Sequence, residues 1–304
     1  MESVHLIYPL FVRPGGGDPE PIPTLPGVFR YSEAGIADAA ASAFEKGVPA
    51  VLLFGLPRKK TADGREAYSP ASAVVHALRS IRRKVPEMIL VTDVCLCAYT
   101  AHGHCGVLKG SDVDNDRTVE ALGRVALAHA EAGADVVAPS AMMDYQVAGI
   151  RGALDEEGFT SVAILGYGAK FASGLYGPFR EAAESTPAFG DRRSYQLDDR
   201  NAREAQREIA LTADEGADIV LVKPAQPCLD VLARARARLD VPLAAYQVSG
   251  EYAMIKAVAE QGWIRESDAA LESLRSIRRA GADFIVTYFA PEVRGWIRNG
   301  GAAP

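Results

Sequence analysis

Short apolar runs alternate along the chain with longer segments whose apolar residues recur at helical spacing. Eight runs read as strands: 6–12, 50–54, 89–93, 135–139, 163–167, 219–223, 243–248 and 284–288. They are apolar throughout rather than alternating, the pattern of parallel strands buried on both faces. Helical spacing predicts helices over 72–84, 118–132, 202–215 and 271–280, among others. Eight strands interleaved with helices predict a (β/α)8 TIM barrel, a single catalytic domain spanning 1–304.

The segments between helix and strand repeat one another. Ala-Gly-Ala-Asp ends at Asp135 and Asp283, and Gly-Ala-Asp at Asp218, with a looser copy around Gly47. Gly133, Gly216 and Gly281 suit the left-handed residue that closes a helix. The copies are unevenly spaced, so they repeat a local solution rather than build a solenoid. One connection, 171–199, is long, contains Gly174, Gly177, Pro178, Pro187 and Gly190, and shows no clear helical periodicity. A loop of that length predicts an active-site lid.

A barrel places its chemistry at the carboxyl ends of its strands. The polar residues expected there are Asp93, Ser140, Lys170 just past its strand, Lys223, Ser249 and Tyr288. Lys223 ends an apolar run, and Lys170 follows the neighbouring strand; strands about 4.8 Å apart let the two side chains converge. Burial and a second cation both lower a lysine pKa, and a neutral amine attacks a carbonyl to form a Schiff base. Arg180 and Arg192, on the expected lid, suit substrate carboxylates.

Three of the four cysteines, Cys95, Cys97 and Cys105, stand in a C-x-C-x7-C arrangement. Thiolates favour zinc. Three ligands suit a catalytic site with an open position; His102 and His104 are alternatives for a fourth ligand, which would close it. Cys228 reads as a buried apolar residue, His76 and His129 as structural, and Arg234, Arg236 and Arg238 as a solvated helix face.

Composition narrows the partners. A net charge of −6 argues against nucleic acid. The first residues lack the pattern of a secretory signal, no apolar stretch approaches the roughly 18 residues of a membrane span, and unpaired thiols fit a cytoplasmic location.

Several segments together carry a family resemblance: 92–106 around the cysteines, Val-Asp-Asn-Asp116, Ala-Pro-Ser140, Tyr-Gly-Pro-Phe-Arg180, Gly-Asp-Arg192, Val-Lys-Pro-Ala225, 246–254 (YQVSGEYAM) and Thr-Tyr288. The chain closely resembles the porphobilinogen synthase (δ-aminolevulinic acid dehydratase) family, in that order, from about residue 50 to 290. The resemblance implies a lyase of tetrapyrrole biosynthesis. Such an enzyme condenses two molecules of 5-aminolevulinate to porphobilinogen with loss of two waters. It implies Lys223 as principal Schiff-base lysine, Lys170 as its partner and Asp93 as a proton-transfer carboxylate. It implies Cys95, Cys97 and Cys105 as zinc ligands. Arg180, Arg192 and Gln196 would hold one substrate carboxylate, and Ser249 and Tyr288 the other.

Departures qualify it. Family members begin with an arm that embraces a neighbouring subunit; with a first strand at Leu6, the arm is expected to be absent and the homo-oligomer to differ from the usual octamer. Glu208 matches a magnesium ligand of some bacterial members, at a site that involves the arm. Ser194 stands where some animal members carry a cysteine for a second zinc, and Tyr145 replaces a usually small residue and is expected to crowd its loop. The competing expectations are a paralogue acting on a related amino-ketone and a non-catalytic ligand-binding barrel.

Overall fold

Leu6–Arg13 (β1) pairs in parallel with Ala50–Gly55 (β2) on one side and Phe284–Val286 (β8) on the other, and that double pairing closes the sheet. Between them run Ile89–Val94 (β3), Val136–Pro139 (β4), Ala163–Lys170 (β5), Ile219–Lys223 (β6) and Leu243–Tyr246 (β7), each parallel to the next. The computed structural model describes residues 5–298, and in it the chain is a (β/α)8 barrel with all eight expected strands. Two small hairpin-like additions, Glu20–Pro21 with Phe29–Ser32 and Leu108–Lys109 with Asp112–Val113, sit beside it.

The outer layer contains α1 (Ile36–Glu45), α2 (Ala73–Lys84), α3 (Asn115–Glu131) and α4 (Gln146–Glu156). After the short α5 (Gly177–Ala182) come α6 (Ala202–Asp214), α7 (Leu229–Arg236), α8 (Ser249–Glu260), α9 (Glu266–Arg279) and α10 (Ala290–Arg298). Side-chain caps start three of them: Ser72 accepts from Val75 N, Asp114 from Arg117 N and Asn201 from Glu204 N.

The repeated Gly-Ala-Asp has two parts with separate jobs. Gly133, Gly216 and Gly281 have φ of +100°, +100° and +118°, the left-handed helix ending. The aspartates then clamp the next strand to its neighbour: Asp135 accepts from Leu90 N at 2.8 Å, Asp218 from Ile164 N at 2.8 Å and Asp283 from Leu243 N at 3.0 Å. Each aspartate N–H donates back to the same residue's carbonyl. The motif therefore registers the strands at the amino end of the barrel and leaves the carboxyl end free for chemistry.

Five expectations are corrected. Lys170 lies within β5, not beyond it, and Ser249 is the first residue of α8. The 171–199 connection contains a 3-10 turn at Gly174–Tyr176 and α5, both too short to leave a periodic signature. Arg236 is only partly solvated: it lies against Gly281 and pairs with Asp283 at 3.0 Å. Tyr145 does not crowd its loop; it is 72% exposed, at the left-handed φ of +60° that small residues tolerate better.

Candidate active site

The register of β5 and β6 sets Lys170 directly opposite Lys223. Leu221, two residues before Lys223, faces Tyr167, which is three residues before Lys170. A regular strand would send residues three apart to opposite faces. The register shift between Leu221 and Val222 adds the extra residue to β5 and turns Lys170 to the same side as Tyr167. Gly168 sits in this bulge, where a Cβ would come within 2.6 Å of Val220 Cγ1 and 3.1 Å of Ile209 Cα. Both ammonium nitrogens lie near the Tyr167 ring, at 5.8 Å for Lys170 and 5.6 Å for Lys223.

The two lysines differ in surroundings. Lys223 Nζ is enclosed by aromatic faces, 4.3 Å from the Tyr246 ring centre, 5.0 Å from Phe179 and 5.1 Å from Tyr176. Burial, followed by the charge of Lys170, pulls its pKa down to about 7. Lys170 Nζ instead donates to Ser140 O at 2.5 Å. Ser140 Oγ donates to Asp93 Oδ1 at 2.6 Å, so Asp93, Ser140 and Lys170 form one chain of contacts at the ends of β3, β4 and β5. Burial raises the Asp93 pKa to about 6 against the opposing effects of that hydrogen bond and of both lysines.

The loop after β3 carries the thiols. Cys95, Cys97 and Cys105 are buried and their sulfurs lie within 4.8 Å of one another. Tetrahedral zinc with Zn–S near 2.3 Å needs sulfurs about 3.8 Å apart, so the trio fits a thiophilic ion. Neither histidine is free to join. His104 has Nδ1 against Tyr195 Oη and Nε2 against Phe189 O, both at 3.1 Å; His102 has Nε2 against Ala62 O and Nδ1 against His104 N, also at 3.1 Å. The donor set among the described residues is thus three sulfurs, the number of protein ligands common in catalytic rather than closed structural zinc sites.

The lid brings in the remaining expected residues. Its base is stitched down where Leu197 N donates to Lys170 O and Phe171 N to Lys223 O. Arg192 and Gln196 are buried; Arg180 is partly so, and burial together with the neighbouring Arg192 lowers its pKa. Arg180 Nε, Arg192 Nε, both amide atoms of Gln196 and Tyr167 Oη are buried without a protein partner. Such groups cost roughly 1–3 kcal/mol each unless something bonds them. Two neighbouring guanidiniums with unused donors suit an anion with planar oxygens. On the opposite wall Tyr288 Oη lies 3.2 Å from Tyr246 Oη. The Ser249 hydroxyl accepts from Phe179 N at 3.0 Å and donates to Leu175 O at 3.2 Å, so it holds the lid's base.

Glu208 is not with them. It lies in a surface depression with Asp144, Glu204 and Glu215, and no ligand cluster forms around it among the described residues. Cys228 and His129 are structural as expected, His129 through a 3.0 Å contact with Thr92 Oγ1.

The family model described as delta-aminolevulinic acid dehydratase matches residues 1–296. The chain belongs to the delta-aminolevulinic acid dehydratase family. A member from Synechococcus elongatus is 48% identical over 301 residues, covering 98% of this chain and 92% of its own. One from Mycobacterium tuberculosis is 51% identical over 301 residues, covering 98% and 91%. The crystal structure of the Toxoplasma gondii delta-aminolevulinic acid dehydratase in complex with the product porphobilinogen superposes with a TM-score of 0.95. It is 44% identical, over 97% of this chain and 85% of that one.

Two residues of this dehydratase site escaped the sequence reading. Tyr167 ends the expected 163–167 strand but, as one more apolar residue of that run, did not stand out. Glu251 is 3% exposed and accepts from Gln226 N and Val248 N at 2.7 Å and from Ala225 N at 3.3 Å. It ties the segment after Lys223 to the start of α8; burial raises its pKa to about 7. A glutamate three residues into a helix is the only sequence signal it gives.

Proposed function

We propose that this chain is a porphobilinogen synthase, a lyase of tetrapyrrole biosynthesis that joins two molecules of 5-aminolevulinate and releases two waters. The single observation that carries the mechanism is the pairing of Lys170 with Lys223, both buried, in one register position at the barrel mouth.

Lys223 is the principal nucleophile. With a pKa near 7 it is substantially neutral at physiological pH, because burial and the charge of Lys170 disfavour the charged amine. Its nitrogen attacks the ketone of one substrate; the C–N bond forms, and the former carbonyl oxygen leaves as water once protonated. Asp93, its pKa raised to about 6, can exchange a proton close to neutrality and reaches Ser140, which in turn contacts Lys170, so this carboxyl can take up protons and hand them to the departing oxygen. Lys170 holds the second substrate by the same imine chemistry.

Carboxylate recognition discriminates the two substrates. Arg180, Arg192 and Gln196 on the lid bind one, using the donors that otherwise lack partners, and Ser249 with Tyr288 binds the other. Zinc is the ion that best suits Cys95, Cys97 and Cys105, and when bound it supplies Lewis acidity at its open position. Closure of the lid keeps bulk water from hydrolysing the imines.

No helix among the described residues is long and apolar enough to cross a membrane. Four free cysteines fit a cytoplasmic setting, and exposed Met254 on α8 with Trp263 and Ile264 at the turn from α8 to α9 fit a homo-oligomer. The functional test is porphobilinogen formation from 5-aminolevulinate before and after chelation. Product that falls with chelation and returns with zinc supports the reading. Absence of product from folded, zinc-loaded protein would overturn it.

A further inference from the structure

The tip of the lid touches the thiol loop more than any other feature of the barrel mouth requires. Tyr195 Oη accepts from the backbone N–H of Cys105 at 3.3 Å and lies 3.1 Å from His104 Nδ1. The other nitrogen of His104 meets Phe189 O, and the two rings lie 4.9 Å apart. Ala188 N donates to His102 O at 3.0 Å, and Arg192 Nη2 donates to Gly103 O at 2.8 Å. Gly103 has φ +72°, and a Cβ there would lie 2.5 Å from Thr186 O, so the loop is shaped for close approach of the lid backbone. These bonds join residues 102–105 to residues 186–195, two segments otherwise linked only through the barrel.

We propose that Tyr195 is a positioning residue that latches the lid onto the loop carrying Cys105, so that metal bound by the three thiols and the closed lid stabilise each other. The inference rests on the reading of Cys95, Cys97 and Cys105 as metal ligands. The physical reason is that Cys105 supplies a ligand atom from its side chain while its backbone N–H is held by the lid. Fixing one fixes the other, and such outer partners of ligands typically set metal affinity by about 10–100-fold. Coupling between two sites is reciprocal, so a bound metal must favour the closed lid to the same degree that the closed lid favours the metal. The arrangement also gives the metal a reason to matter to substrate grip: Arg192 and Gln196 flank Tyr195 and move with it.

Two measurements test this without recourse to turnover. The first is metal affinity, by competition for zinc with a chromophoric chelator and by thiolate charge-transfer absorption on cobalt(II) loading, in wild type and Tyr195→Phe. The second is the rate of trypsin cleavage after Arg193, whose side chain is 82% exposed on the lid, with and without zinc. The expected result is that Tyr195→Phe binds zinc roughly tenfold or more weakly. Zinc should also slow cleavage of wild type after Arg193, and slow it less in the variant. Equal zinc affinity in both proteins, or cleavage of wild type that ignores zinc, would overturn the latch while leaving the thiol site intact. No cobalt absorption in wild type would overturn the metal reading and the latch together. Should the variant fold poorly, the zinc dependence of wild-type cleavage decides the question alone.

Discussion

Lys170 and Lys223 face each other across a pair of parallel strands because β5 carries one residue more than β6 between Tyr167 and the strand end. The two amines share one aromatic wall, yet one is bonded to a carbonyl and the other is ringed by aromatic faces. In the proposed mechanism this asymmetry would let two chemically identical side chains hold the two copies of one substrate differently.

The first prediction concerns pH. A lysine with a pKa near 7 is about half neutral at pH 7, whereas an ordinary one is neutral in roughly one molecule in a few thousand. Because the shift is downward, reactivity appears as pH rises through 7 rather than through 10. Borohydride trapping at Lys223 should rise between pH 6 and 8 with a midpoint about 7. Lys170→Met removes a cation that lowers this pKa, so the midpoint should move upward; an unchanged midpoint would show that the two amines do not sense each other.

Gly168→Ala tests the bulge. The added methyl meets Val220 and the backbone of Ile209. Overpacking of this kind costs about 1–3 kcal/mol. Misplacing Lys170 by an ångström should lower kcat by up to about 10²-fold. Denaturant melts and steady-state kinetics together check it; a loss of stability with kcat unchanged would mean the bulge does not aim the lysine.

Asp218→Ala tests the strand clamp at the other end of the barrel. It leaves Ile164 N without its acceptor, and the loss should be about 1–3 kcal/mol. Asp218 stands at the far end of β6 from Lys223, so imine trapping at Lys223 should persist under conditions where the variant is folded. Trapping lost from a folded variant would contradict the separation of the two ends.

Most of the barrel was legible in the sequence, since parallel strands buried on both faces leave continuous apolar runs and Gly133, Gly216 and Gly281 end their helices in the way glycine allows. The lysines were legible because they end apolar strands, and the cysteines because of their C-x-C-x7-C spacing. What stayed hidden depended on register and on backbone contacts. The bulge at Gly168 changes no residue type, α5 is too short for a periodic signal, and Tyr195 and Glu251 act through N–H groups that have no letter in a sequence.

Arg180→Ala and Arg192→Ala probe carboxylate recognition separately from the chemistry. Removing a charged hydrogen-bonding partner from a substrate carboxylate costs about 1.5–3 kcal/mol, a rise in KM of roughly ten- to a hundredfold. Arg192→Ala should in addition disturb the lid, because Arg192 also donates to Gly103 O. Unchanged kinetics in both variants would remove the lid from substrate binding.

The most direct test of the account is to reduce the protein with borohydride in the presence of 5-aminolevulinate and to locate the adduct by peptide mass spectrometry. The account predicts a reduced imine on Lys223, a second on Lys170 at high substrate, and none at Lys223 in Lys223→Met, whose turnover falls by roughly three orders of magnitude or more. Product formation with no adduct on either lysine, or with the adduct on another residue, would contradict it.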